Sequence, residues 1–246
     1  MNLNYGLLYY LYDGARPTFP NPVYLLCLVG ALAIAYLLGS INSSIIVSTV
    51  LHGEDIRTKG SGNAGLTNTL RTYGKGAAGL VLLGDMLKTV LSISIAGLVF
   101  GFYYAGAVSF SSECYLAGLF SIIGHIFPVY YKFKGGKGVL STSTMALMLT
   151  PIHFGILLLI FIAVVAVSKY VSLGSVIVAV LYPIMLDGTF KMTSTADAPV
   201  VCLGATIASI LLAVLIVYCH RGNLERISNH TERKLSFGGK KKEDEQ

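Results

Sequence analysis

Two short polar segments interrupt an otherwise apolar chain: DIRTKGSGNAGLTNTLR, from Asp55 to Arg71, and GHIFPVYYKFKGGKGV, from Gly124 to Val139. In the first, Gly60, Gly62 and Gly65 allow sharp backbone turns that aim successive N–H groups at one point, the makings of an anion nest. Ser61, Asn63, Thr67 and Asn68 add short-reach donors, and Arg71 supplies a planar cation suited to phosphate. A helix beginning near Gly65 would aim its positive end at the same place. In the second segment Gly135, Gly136 and Gly138 flank Lys137, so bare backbone surrounds a flexible cation. It is not a Walker A loop, because the spacing differs and no Ser or Thr follows the lysine. Both segments suit an anionic, phosphate-bearing ligand.

Other clusters have plainer readings beside the functional one. KYVSLGS, Lys169 to Ser175, carries Ser172, Gly174 and Ser175, which also allow close helix–helix approach. HRGNLER, His220 to Arg226, reads simply as a basic stop to a membrane span. His125 reads first as a helix-end residue bonded to backbone, and Asp85 with Lys88 as an i,i+3 pair on one helical face. There is no G-x-S-x-G nucleophile elbow.

The elements that must position these residues are membrane helices. The chain has 246 residues, 54% hydrophobic and 12% charged, with a mean hydropathy of +0.70. A soluble domain carries about 25% charged residues, so lipid is the expected solvent. The net charge is +6, but the cations bracket apolar runs instead of forming one basic face, which argues against nucleic acid. Cys27, Cys114, Cys202 and Cys219 share no metal-ligand spacing and read as buried thiols. No cleavable signal pattern opens the chain, so the first long apolar run is expected to remain as a span.

Apolar runs occur near residues 23–50, 76–102, 112–131, 139–168, 171–187 and 199–219. The 139–168 run is too long for one span, and Thr150-Pro151 predicts a break within it. If the loops at 52–75, 132–138 and 169–170 and the tail from 220 are cytoplasmic, they hold every Lys and Arg except Arg16, Lys88 and Lys191. That asymmetry requires 139–168 to leave the cytoplasm and return, as two short spans or as a re-entrant hairpin. The expectation is an all-α polytopic membrane protein of about seven transmembrane helices, N-terminus outside and C-terminus cytoplasmic. Residues 1–22 form an irregular extracytoplasmic extension, 23–219 the membrane domain and 220–246 a cytoplasmic tail. All four polar clusters then face the cytoplasm.

These stretches resemble the PlsY family of bacterial membrane acyltransferases. The resemblance runs from about Ala35 to Lys234 and rests on GSINSS with GSGNAGLTNTLR, then GHIFPVYYKFKGGKGV, KYVSLGS and HRGNLER, in that order. Leu140-Ser141 and Gly222 depart from the family pattern, the N-terminal extension and the loop from Asp187 to Pro199 have no family counterpart, and none of these puts the reaction in doubt. The resemblance implies an inner-membrane, multi-pass enzyme of phospholipid synthesis whose site faces the cytoplasm. It would transfer a fatty acyl group from acyl phosphate to the sn-1 hydroxyl of glycerol 3-phosphate, without metal, coenzyme A or other cofactor. Implied partners are both substrates, the bilayer and the enzyme that forms acyl phosphate.

By the same resemblance Ser61, Arg71, Lys137 and His220 are the catalytic set. Asn63, Thr67, Asn68 and Asn223 join them around glycerol 3-phosphate, and Gly135, Gly136, Gly138, Ser172 and Ser175 face the acyl phosphate. Acyl phosphate is already activated, so direct attack by the hydroxyl suffices, with His220 or a bound phosphate oxygen taking the proton. Two rivals remain open from sequence: a carrier for phosphate or an organophosphate, and the same transfer from acyl-CoA or acyl carrier protein.

Overall fold

The computed structural model describes residues 5–12, 14, 21–102, 104–105, 108–109, 111–193 and 199–235. A short helix α1 (Gly6–Leu11) precedes α2 (Pro22–Ser40), α3 (Ser43–His52) and α4 (Leu66–Phe100). A two-residue antiparallel pair, β1 (Tyr104–Ala105) with β2 (Val108–Ser109), leads into α5 (Ser112–Ile126). Then follow α6 (Val139–Leu149), α7 (Pro151–Ser168), α8 (Val171–Thr193) and α9 (Pro199–Ser228).

Local chemistry explains the breaks. The Asn21 side chain accepts from the amides of Val23 and Tyr24, with Pro22 starting α2. The run expected as one span at 23–50 is two helices, because Ile41 is extended and Asn42 caps α3 by accepting from Ile45 N at 3.1 Å. Gly53 ends α3 in the left-handed region. At Gly74, φ is 84° and α4 kinks, a conformation open to glycine. The Thr150-Pro151 break falls where proline predicts it, between α6 and α7.

Among the described residues, six stretches are helical, long and apolar enough to cross a bilayer: Pro22–His52, Leu66–Phe100, Ser112–Tyr131, Pro151–Ser168, Val171–Met192 and Gly204–Ser228. The expected seventh, α6, has 11 residues, about 16 Å of helix against the ~30 Å of hydrocarbon. Among the described residues the count is therefore six long apolar stretches, the first of them α2 and α3 in series, and one half-length helix. One further expectation is corrected: the N-terminal extension is not wholly irregular, since α1 packs Leu8 against Ala31 and Phe100. At the other end α9 continues past residue 220 to Ser228, so His220 and Asn223 are helical.

The outer faces carry large apolar side chains, with Leu26 74% and Val167 88% exposed. That inverts the pattern of a soluble core and fits a lipid surround. Inside, glycines let backbones touch: a Cβ on Gly39 would strike the Ser121 backbone, and one on Gly124 would strike the Tyr36 carbonyl, which seats α2 on α5. Tyr115, Ile122, Met145, Leu186 and Leu212 fill the centre of the bundle.

Candidate active site

At one end of the bundle the loop before α4, the turn before α6, the start of α8 and the end of α9 surround a cavity of about 1200 Å³. The four clusters separated in sequence thus share one site. Since the starts of both α6 and α8 line it, the α6–α7 hairpin leaves this end and returns to it.

The first loop is held from within. Asn68, buried, donates to the carbonyls of Ile56, Lys59 and Asn63 at 3.3, 3.0 and 3.1 Å, and its Oδ1 accepts from Ser61 N at 2.9 Å. Its side chain organises the loop, and the exposed Ser61, Thr67 and Arg71 are presented to the cavity together with Asn63. Arg57 fastens this loop to the next by donating to the carbonyls of Tyr131 and Lys134 at 3.0 and 3.1 Å, while Asp55 grips its other face.

The second loop behaves differently from the sequence expectation. The Gly135 amide donates to Ile126 O and the Gly136 amide to His125 O, both at 3.1 Å, and neither residue lines the cavity. The expectation that these two amides face an acyl phosphate is therefore corrected: they close the turn after α5. Their lack of side chains still matters, because a Cβ on Gly136 would strike both the His125 ring and the Ala64 carbonyl of the first loop. Gly138 does line the cavity, at φ 79°.

Lys137 reaches the cavity and donates to Asn223 Oδ1 on α9. Burial pushes its ammonium down to about 8, which Glu232 partly offsets and Arg226 deepens. Asn223 in turn donates to Glu232 Oε1 at 2.6 Å, and the same oxygen accepts from Ser172 at 2.9 Å. Arg226 donates to Glu232 Oε2 at 2.8 Å. Burial raises the Glu232 carboxyl, but hydrogen bonds from Asn223, Arg226 and Ser172 outweigh it and hold the pKa below the ordinary value. His220 is buried at the cavity wall, and its Nδ1 lies 2.8 Å from Ile216 O. Donation from Nδ1 leaves Nε2 as the acceptor. Ser175 lines the cavity and donates to Val171 O at 2.9 Å.

Every expected site residue except Gly135 and Gly136 therefore lines one cavity. Sequence reading missed Glu232, an acid between Thr231 and Arg233 with no spacing signal. It also missed that Asp85 and His125 line the same cavity, and that His125 Nδ1 meets Lys88 Nζ at 2.8 Å instead of backbone. The i,i+3 spacing of Asp85 and Lys88 did foretell their ion pair, 2.8 Å in the structure.

A family model for glycerol-3-phosphate acyltransferase matches residues 29–230. The chain belongs to the glycerol-3-phosphate acyltransferase family. It is 41% identical over 210 residues to a glycerol-3-phosphate acyltransferase of Geobacillus kaustophilus, a match covering 85% of this chain and 97% of that one. It is also 41% identical over 205 residues to one of Syntrophomonas wolfei, covering 83% and 95%. Among solved structures it resembles PlsY, an integral membrane glycerol 3-phosphate acyltransferase, in its glycerol 3-phosphate form. There the TM-score is 0.72 and the identity 31%, over 85% of this chain and 96% of that one. The lysophosphatidic acid form of PlsY matches with a TM-score of 0.69 and 28% identity, over 85% and 95%. Family membership makes this an acyltransferase of the PlsY type embedded in a membrane, in accord with the six long apolar stretches among the described residues.

Proposed function

We propose that the protein transfers a fatty acyl group from acyl phosphate to the sn-1 hydroxyl of glycerol 3-phosphate, releasing 1-acylglycerol 3-phosphate and phosphate at the cytoplasmic face of the inner membrane. The observation that carries this reading is the single cavity shared by Ser61, Arg71, Lys137, His220 and Asn223. A guanidinium, an ammonium, a hydroxyl and a helix N-terminus at one wall suit a phosphomonoester. A smaller apolar space of about 130 Å³ opens between α6, α7, α8 and α9, and it shares Ser143, Phe154, Leu158, Phe161 and Ser175 with the cavity. A hydrocarbon chain belongs there, beside lipid, with its carbonyl at the polar junction. The inward orientation is supported by the cations, since the cavity end carries Arg71, Lys137, Arg221, Arg226 and Arg233.

The chemistry needs little more than alignment and charge. Arg71, Ser61 and Lys137 hold the phosphate of glycerol 3-phosphate, and Asn63, Thr67 and Asn223 complete its surroundings. Asn68 acts by shaping the loop. Ser172, Ser175 and Gly138, which line the same cavity, border the donor side. His220 Nε2, left as an acceptor by the Nδ1 bond to Ile216, takes the hydroxyl proton as oxygen attacks the carbonyl carbon. Collapse of the tetrahedral intermediate breaks the bond to the phosphate, which leaves and receives that proton. No acyl-enzyme forms.

The test is a donor comparison with purified protein in detergent and labelled glycerol 3-phosphate. Acyl phosphate should support ester formation with one phosphate released per ester, whereas acyl-CoA and acyl carrier protein thioester should not. Equal rates with a thioester would overturn the donor assignment, and a trapped acyl-enzyme would overturn direct attack. Uptake into vesicles without ester formation would favour a carrier.

A further inference from the structure

The Asp85–Lys88–His125 cluster lies in the membrane helices and is not needed by the mechanism above. All three residues are buried, each 4% exposed or less. The Lys88 ammonium has three hydrogens and three acceptors: Asp85 Oδ1, His125 Nδ1 and Ile41 O, each at 2.8 Å. Those acceptors belong to three different parts of the fold, namely α4 itself, α5 and the break between α2 and α3.

Each connection leads to one of the polar loops. Asp85 Oδ1 also accepts from Ser43 Oγ at 3.0 Å, so Asp85 and Lys88 together fix the first turn of α3. That turn reaches the first loop through Asn42, which donates to Ala64 O at 3.4 Å. It also reaches the first turn of α4 through Ser44, whose hydroxyl lies 2.6 Å from that of Thr69, and Thr69 donates to Gly65 O at the end of the first loop at 3.2 Å. On the other side, His125 receives the second loop, its carbonyl accepting from the Gly136 amide at 3.1 Å. The two routes meet where Gly136 fits between the His125 ring and Ala64 O, with no room for a Cβ.

We infer that Lys88, with Asp85 and His125, is a positioning cluster that sets the separation of the two glycine-rich loops and so the width of the phosphate pocket. A buried ion pair is a poor device for stability alone, because its desolvation cost offsets most of its attraction. A rigid ammonium with three fixed acceptors is, by contrast, a good gauge of distance. This inference rests on the reading of the cavity as the glycerol 3-phosphate pocket.

The experiment measures thermal unfolding of the purified protein together with KM for glycerol 3-phosphate and kcat. Lys88→Met leaves Asp85 buried without its partner, and both stability and KM should suffer. Asp85→Asn with Lys88→Met removes both charges. Unfolding temperature should then return towards wild type while KM stays raised by about tenfold, a loss equivalent to about 1.4 kcal/mol of binding. His125→Ala keeps the ion pair and the bond from the Gly136 amide to the residue 125 carbonyl, and removes only the ring that joins Lys88 to the second loop. It should raise KM more than it lowers kcat, with the fold intact. Recovery of KM together with stability in the double variant, or a wild-type KM in His125→Ala, overturns the inference. Arg71→Ala distinguishes failure of the pocket reading: it must raise KM if these loops hold glycerol 3-phosphate, whatever the cluster does.

Discussion

Lys137 turns pH into a measure of phosphate binding. Burial holds its ammonium at about 8, below the ordinary lysine value of 10.5. The sign follows directly: the charged form prevails below pH 8 and is lost as pH rises through it. A phosphomonoester loses its second proton near pH ~6, so glycerol 3-phosphate is a dianion throughout the range that matters. If only the ammonium form binds it well, the apparent Kd is multiplied by a factor of 1 + 10^(pH − 8). That factor is about 2 at pH 8 and about 11 at pH 9, or roughly 1.4 kcal/mol per pH unit on the alkaline limb. Titration calorimetry of glycerol 3-phosphate into detergent-purified protein between pH 6.5 and 9.5 reads the limb directly, and KM should follow it. Lys137→Arg carries a charge that does not titrate in this range, so its Kd should be weaker at pH 7 yet nearly flat to pH 9.5. A flat wild-type profile would show that the neutral amine serves as well. An unchanged alkaline limb in Lys137→Arg would assign the titration to another group. Either result refutes the reasoning.

Gly136→Ala should lower kcat/KM by about tenfold or more with the protein still expressed, because the added methyl separates Ala64 O from the His125 ring at a cost of about 1–3 kcal/mol. Steady-state kinetics alongside a unfolding scan will check it, and an unaffected KM would count against the close approach of the loops. Glu232→Gln removes the carboxylate that Asn223, Ser172 and Arg226 bond, and should lower the unfolding temperature by a few degrees at pH 7. Since the folded pKa is lowered, this contribution is present above the unfolded carboxyl value and fades as pH falls through the folded one, so variant and wild type should converge in acid. Ala179→Phe fills the apolar space between α6 and α9; it should reduce kcat/KM for long acyl donors several-fold more than for short ones, while calorimetric Kd for glycerol 3-phosphate stays unchanged.

The membrane architecture was open to reading in the chain because its cause is local. A bilayer demands long uninterrupted apolar helices, and Pro151, Pro22 and Gly53 punctuate them by restrictions of their own backbone. The residues that line the cavity were also legible by type, since hydroxyls, amides and cations concentrated between apolar runs have few other uses. What the sequence could not contain was direction. Gly135 and Gly136 carry amides like those of any anion nest, yet the turn after α5 points them at Ile126 O and His125 O. Asn68 has the chemistry of a ligand, yet three carbonyls and the Ser61 amide claim it. Glu232 gives no spacing signal, and only the fold brings it to Ser172, 60 residues away. Lys88 can be paired with Asp85 from helical spacing alone, but its other two acceptors lie 47 and 37 residues distant. Composition and spacing determine what a residue can do over one or two helical turns; which partner uses that capacity is decided by packing between helices, where contacts depend on the whole bundle and on no single segment.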